Sequence, residues 1–128
     1  MDKNTYRGKR KDNGEWVYGY FVRVEESCCI LWVINRRWFF QEVIPETIGQ
    51  CTALPDKNGK AIYEGDVCRN TRTKEIVSVK WHGTMAGYVW SKRDKDGFLY
   101  SFGELFRAHD KYEIIGNIHD NPEILEGA

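Results

Sequence analysis

Three polar four-residue segments end in an Asx-Gly pair: Lys11-Asp12-Asn13-Gly14, Asp56-Lys57-Asn58-Gly59 and Asp94-Lys95-Asp96-Gly97. Asn-Gly and Asp-Gly accept the positive φ angles of tight hairpin turns at little steric cost. Each segment is followed at once by residues suited to a strand, so the chain is punctuated for antiparallel hairpins. Glu15–Val24 follows the first, with Trp16, Tyr18, Tyr20 and Val22 alternating against Val17, Gly19, Phe21 and Arg23. Lys60–Glu64, carrying Ile62 and Tyr63, follows the second, and Phe98, Leu99 and Tyr100 follow the third.

Further strands fit between these turns. Cys28–Ile34 is almost continuously apolar and reads as a buried strand. Asn35-Arg36 turns it back into Arg37–Ile44, and Pro45 ends that run by removing a backbone donor. Asp66–Asn70, Glu75–His82, Gly87–Lys92 and Tyr112–Ile118 complete the set. One stretch has helical spacing: Ser101-Phe102-Gly103-Glu104 matches a capping box, and Phe102, Leu105 and Phe106 share a helical face. The pattern predicts a mainly β fold, either a small barrel or two packed antiparallel sheets, with one short helical turn before the last strand. At 128 residues the chain is read as a single domain, residues 1–128, with 125–128 a short tail.

Composition narrows the chemistry. Five Trp, seven Tyr and six Phe supply a large apolar load, which excludes disorder. Formal net charge is zero, so the global basic excess of a dedicated nucleic-acid binder is missing. The longest apolar run, Cys28–Ile34, is too short to cross a bilayer, and Met1-Asp2-Lys3-Asn4 carries no hydrophobic signal core. The expectation is a protein of the cytoplasm, without membrane contact, whose four cysteines stay reduced and mostly buried.

No metal or cofactor is expected. Cys28, Cys29, Cys51 and Cys68 and the histidines at 82, 109 and 119 show no paired ligand interval. Setting Gly97 at the sixth position of a calcium loop puts Lys92 first and Gly103 twelfth, and neither offers a carboxylate. Gly8-Lys9-Arg10 lacks the upstream glycine and the hydroxyl of a phosphate loop. No Gly-x-Ser-x-Gly occurs, and adjacency of His119 and Asp120 does not set a carboxylate behind an imidazole. No catalytic residue is assigned, and a non-enzymatic role is expected.

Two basic-aromatic groups remain. Arg7, Lys9, Arg10 and Lys11 precede Trp16, Tyr18 and Tyr20, while Arg36, Arg37 and Trp38 stand at a predicted hairpin tip. Aromatic platforms beside a basic groove hold single-stranded nucleic acid. The competing reading makes the rings core and the charges a solvated edge. These seven residues, Arg7, Lys9, Arg10, Lys11, Arg36, Arg37 and Trp38, are therefore the candidate surface for either a nucleic acid or a protein partner.

Two segments carry more than pattern. Val43–Gln50 leads through Thr52-Ala53-Leu54 into Asp56-Lys57-Asn58-Gly59-Lys60-Ala61-Ile62-Tyr63-Glu64-Gly65-Asp66-Val67, and Tyr112-Glu113-Ile114-Ile115-Gly116-Asn117-Ile118-His119-Asp120-Asn121-Pro122-Glu123 stands near the end. With the opening Tyr6-Arg7-Gly8-Lys9, they resemble the YopX family of bacteriophage and prophage proteins from about Tyr6 to Leu125. Cys51 stands where that family often has an aromatic, and His119 where it often has Tyr. The resemblance implies a fold similar to SH3-type β-barrels, with extra hairpins, and no established catalytic residues. It also implies that Asp56, Gly59, Tyr63, Gly65, Asp66, Gly116 and Asn117 are structural, with Asp56–Asp66 forming a barrel corner. The favoured role is a phage-derived interaction module that binds a protein or assembles with itself; nucleic-acid binding by a small β-barrel is the alternative.

Overall fold

A computed structural model describes residues 5–84, 86–93 and 99–126. The chain divides into two compact units between Cys51 and Thr52. The third Asx-Gly segment, residues 94–97, lies outside the described residues.

The first unit is built from β1 (Tyr6–Lys9), β2 (Trp16–Val24), β3 (Ser27–Ile34), β4 (Arg37–Glu42), a 3₁₀ turn at Pro45–Thr47 and the start of β5 (Gly49–Pro55). Every pairing is antiparallel, in the order β4-β3-β2-β1-β5, and β5 continues past the boundary to pair with β6 (Ala61–Tyr63) in the second unit. Asn13 and Gly14 make the expected first turn: Gly14 has φ +76°, and the Asn13 side-chain oxygen accepts the Glu15 N–H at 2.9 Å. Asn35 and Arg36 both take positive φ, 51° and 66°, as a two-residue hairpin whose twist matches its strands requires. Cys28, Ile30 and Val43 form the core of this unit, with Tyr6, Val17, Trp32 and Ile48 packed around them.

In the second unit, β7 (Asp66–Asn70), β8 (Ile76–His82), β9 (Gly87–Arg93), β10 (Leu99–Glu104) and β11 (Tyr112–Asn117) form a sheet in the order β10-β9-β8-β7-β11, again antiparallel. Its core joins Ile62, Cys68, Val77, Val79, Trp90, Leu105 and Tyr112, with the Trp90 and Tyr112 rings stacked at 4.2 Å. A short helix, α1 (Pro122–Glu126), follows β11.

The fold is mainly β with two antiparallel sheets, as the turn pattern predicts, but neither sheet closes into a barrel. The barrel alternative, and with it the barrel corner expected at Asp56–Asp66, is corrected. Open ends remain at β4 and β6 in one sheet and at β10 and β11 in the other. The first sheet approaches closure at the isolated bridge Arg10–Val43, flanked by Lys11 N–H donating to the Glu42 carbonyl and Ile44 N–H to the Lys9 carbonyl.

Two local expectations also change. The short helical turn expected before the last strand is present as 3₁₀ turns at Leu105–Arg107 and His109–Lys111, but it does not start at Ser101, because the chain is strand as far as Glu104. There the backbone pairs with β9, and a register shift between Ser101 and Gly103 absorbs the irregular pattern. The Cys28–Ile34 run is buried only in its first half, since Val33 and Ile34 are exposed.

Candidate functional site

Residues directly opposite one another in antiparallel strands share a face. Tyr20, Leu31 and Phe40 stand opposite in β2, β3 and β4, and Val33 pairs with Trp38 one step along the same face. Tyr18, two residues before Tyr20, joins them. Tyr18 is 50% exposed, Tyr20 48%, Val33 47%, Trp38 63% and Phe40 62%. Phe39, on the reverse side, stacks on Trp32 at 5.9 Å and is itself exposed. Large apolar side chains scattered singly on a surface are ordinary, but a contiguous aromatic face is a mark of an interaction site.

The sequence-predicted basic surface does not form one patch. Arg7 is buried, its guanidinium 4.8 Å from the centre of the Trp16 ring, and the Lys9 ammonium lies 5.7 Å from the same ring. Arg10 donates two hydrogen bonds to the Asp12 carboxylate, at 3.0 and 2.8 Å. That contact holds the Asp12 carboxyl below its ordinary range and raises the Arg10 guanidinium above its own. Lys11 pairs with Glu42 at 3.2 Å. Arg36, Arg37 and Trp38 are exposed at the other end of β4, a strand's length of about 17 Å away. The two basic groups are thus separated. Of the seven, Trp38 is the one that exposes an apolar side chain on this face; Arg7 and Lys9, opposite Tyr18 and Trp16, share the face but lie against the Trp16 ring, and the alternating rings of β2 with the apolar run of β3 are the signal for the other members.

The residues of the Asp56–Asp66 stretch hold backbone. Asp56 is buried, and its Oδ1 accepts the N–H groups of Asn58 at 2.8 Å and Lys60 at 2.9 Å. Its Oδ2 accepts the Ile114 N–H at 3.0 Å, tying the turn to β11. Gly59 occupies φ +83°, as the tight turn requires. Asp66 is buried and accepts the Tyr63 N–H at 2.7 Å, closing the turn through Gly65. Asn117 Oδ1 accepts the N–H groups of His119 and Asp120, at 3.0 and 2.9 Å. Gly116 sits beneath Asn121, where a Cβ would lie 2.5 Å from Asn121 Oδ1.

Other reactive groups are dispersed or engaged. The four cysteines are buried and form no disulfide with one another, and burial, with Glu42 and Cys28 nearby, pushes the Cys29 thiol up. Among the described residues no three His, Cys, Asp or Glu side chains are placed to hold a metal ion. His109 Nδ1 lies 2.7 Å from the Pro55 carbonyl. Among the described residues no helix is long and apolar enough to cross a membrane.

Fold and surface together define a class: a two-unit antiparallel β protein that presents aromatic side chains on the outer strands of one sheet. The chain belongs to the YopX family, described as YopX protein, whose pattern matches residues 5–126. No curated protein sequence matches it. Among solved structures it is similar to protein EF1440 from Enterococcus faecalis, at 20% identity and a TM-score of 0.58, covering 94% of this chain and 96% of that one. At that identity the likeness concerns the fold.

Proposed function

We propose that this chain is a small non-enzymatic interaction module of phage or prophage origin, working in the bacterial cytoplasm by binding protein through the outer face of β2, β3 and β4. The observation that carries this reading is the row of half-exposed apolar side chains Tyr18, Tyr20, Val33, Trp38 and Phe40. No charged side chain interrupts that row, and Arg10 and Lys11 are already balanced by carboxylates. A nucleic-acid site needs free cations along a backbone track, whereas a protein site needs desolvatable rings with a polar rim. The surface has the second character.

The test compares the wild-type chain with a Trp38→Ser/Phe40→Ser double variant. Each serves as bait in lysogenic cells, and each is sedimented alone. Loss of a co-purifying protein, or of self-association, in the double variant supports the reading. A monomeric wild type that co-purifies with the same set of proteins as the variant overturns it.

A further inference from the structure

The apolar face has a direction: Trp38 and Phe40, its two most exposed members, lie on the terminal strand of the sheet. Natural edge strands are guarded by charged side chains, lysine above all, or by proline, a bulge or short length. β4 has no lysine, proline or bulge, and its charges, Arg37 and Glu42, stand only at its two ends. It pairs with β3 in unbroken register from Glu42 to Arg37, and its first four residues are exposed. Its outer edge is bounded at both ends. At the base the Glu42 carbonyl already accepts the Lys11 N–H, and at the tip Asn35 and Arg36 turn the chain. The open edge is therefore Arg37–Gln41, five residues centred on Phe39.

We propose that a second copy of this chain occupies that edge, β4 against β4, antiparallel about a two-fold axis at Phe39; this deepens the interaction reading above and rests on it. A two-fold axis perpendicular to a continuous sheet sets residues of equal parity opposite one another, and an odd-numbered edge meets that condition. Phe39 then faces its own mate, and Trp38 of each copy stands beside Phe40 of the other. Charge agrees with the antiparallel sense. Arg37 meets Gln41, and Arg36 approaches Glu42, whereas a parallel pairing would set Arg37 on Arg37. The three half-exposed rings carry roughly 300 Å² of apolar surface per copy. With the backbone edge and flanking polar residues, two copies approach the roughly 1,000 Å² that a specific interface needs. A concentration-dependent dimer is expected rather than an obligate one.

The experiment uses the full chain. Wild type should shift from monomer to dimer across the micromolar to millimolar range in sedimentation, and Phe40→Lys should weaken that shift at least about tenfold with an unchanged near-ultraviolet circular dichroism spectrum. Phe39→Cys should cross-link to a dimer under mild oxidation, since directly opposed Cβ atoms lie about 5 Å apart. Wild type, whose cysteines are buried, should not. A wild type that stays monomeric overturns the dimer. If the Trp38→Ser/Phe40→Ser bait still loses a protein in that case, the interaction reading survives with a foreign partner. A dimer that cross-links through Tyr20→Cys but not Phe39→Cys overturns the edge pairing in favour of face packing. A dimer unaffected by any of these changes places the interface elsewhere and overturns both.

Discussion

Replacing Asp56 by asparagine or alanine separates the contributions of its two carboxylate oxygens. The buried side chain accepts three backbone N–H groups, two on Oδ1 from its own turn and one on Oδ2 from Ile114 in β11. Asparagine has one oxygen. Turned to keep the two turn donors, it sets its NH₂ group against the Ile114 N–H, so one charge-assisted bond is lost and a donor is left unsatisfied. That costs about 2–3 kcal/mol. Alanine strips both acceptor oxygens and with them all three bonds, though the amides of exposed Asn58 and Lys60 regain water, giving about 4 kcal/mol. Against a total stability of about 5–15 kcal/mol, either loss is large. Urea unfolding followed by tryptophan fluorescence measures the totals. Amide hydrogen exchange assigns them: Ile114 should exchange on the order of thirtyfold faster in Asp56→Asn, and the Asn58 and Lys60 amides should follow only in Asp56→Ala. If both variants lie within about 0.5 kcal/mol of wild type, or if Asp56→Asn frees the turn amides and leaves Ile114 protected, the assignment of the two oxygens is refuted.

Three further outcomes are expected. Gly116→Ala forces a Cβ to within 2.5 Å of Asn121 Oδ1 and should cost about 2 kcal/mol in urea unfolding, with the Asn117 amide losing protection. Arg36→Gly relieves a left-handed arginine in the hairpin turn and should stabilise by about 1 kcal/mol, read as a higher unfolding midpoint. Burial raises the Tyr112 hydroxyl above its ordinary value, so the folded state holds that proton more tightly than the unfolded chain does. Stability from this group is complete below the unfolded value of about 10 and falls as pH rises past it; Tyr112→Phe, which keeps the ring against Trp90, should flatten that alkaline limb in a pH series of unfolding curves.

The strands that follow turn signals were legible because the evidence for them is local. Asn13-Gly14 and Asn58-Gly59 mark their turns by backbone chemistry alone, and the alternating rings of β2 mark a strand without knowledge of its partner. β5 was not legible. Gly49–Pro55 has neither a long apolar run nor clear alternation, and it becomes a strand because β1 and β6 lie beside it. The capping-box start at Ser101 does not hold, because Ser101–Glu104 joins the ladder offered by β9 and the helical turn begins only at Leu105. Asn121-Pro122, an Asx followed by a helix-starting proline, is a fair signal for α1, whose end runs into the stretch expected as a short tail. For the surface, basic residue type alone does not reveal exposure: burial of Arg7 and the pairing of Lys11 with Glu42 are set by tertiary contact, while Asp12 neutralises Arg10 from only two residues away. The apolar half of β3 looked like core because hydrophobicity alone does not say which end of a strand is covered.

Asp56 also orders events in time. Its contacts through Oδ1 reach two and four residues along the chain, so the turn they make is available as soon as Lys60 has been synthesised. Its Oδ2 waits for Ile114, fifty-eight residues later. During translation the turn can form with one oxygen still in water, and the second sheet acquires β11 only once Tyr112–Asn117 has been made. With local closure first and distant capture last, β11 is expected to dock late in the second unit, leaving the outer edge of β7 uncovered until then. A ribosome-bound chain that ends before Tyr112 should therefore be more vulnerable to protease along β7 than a chain that includes β11.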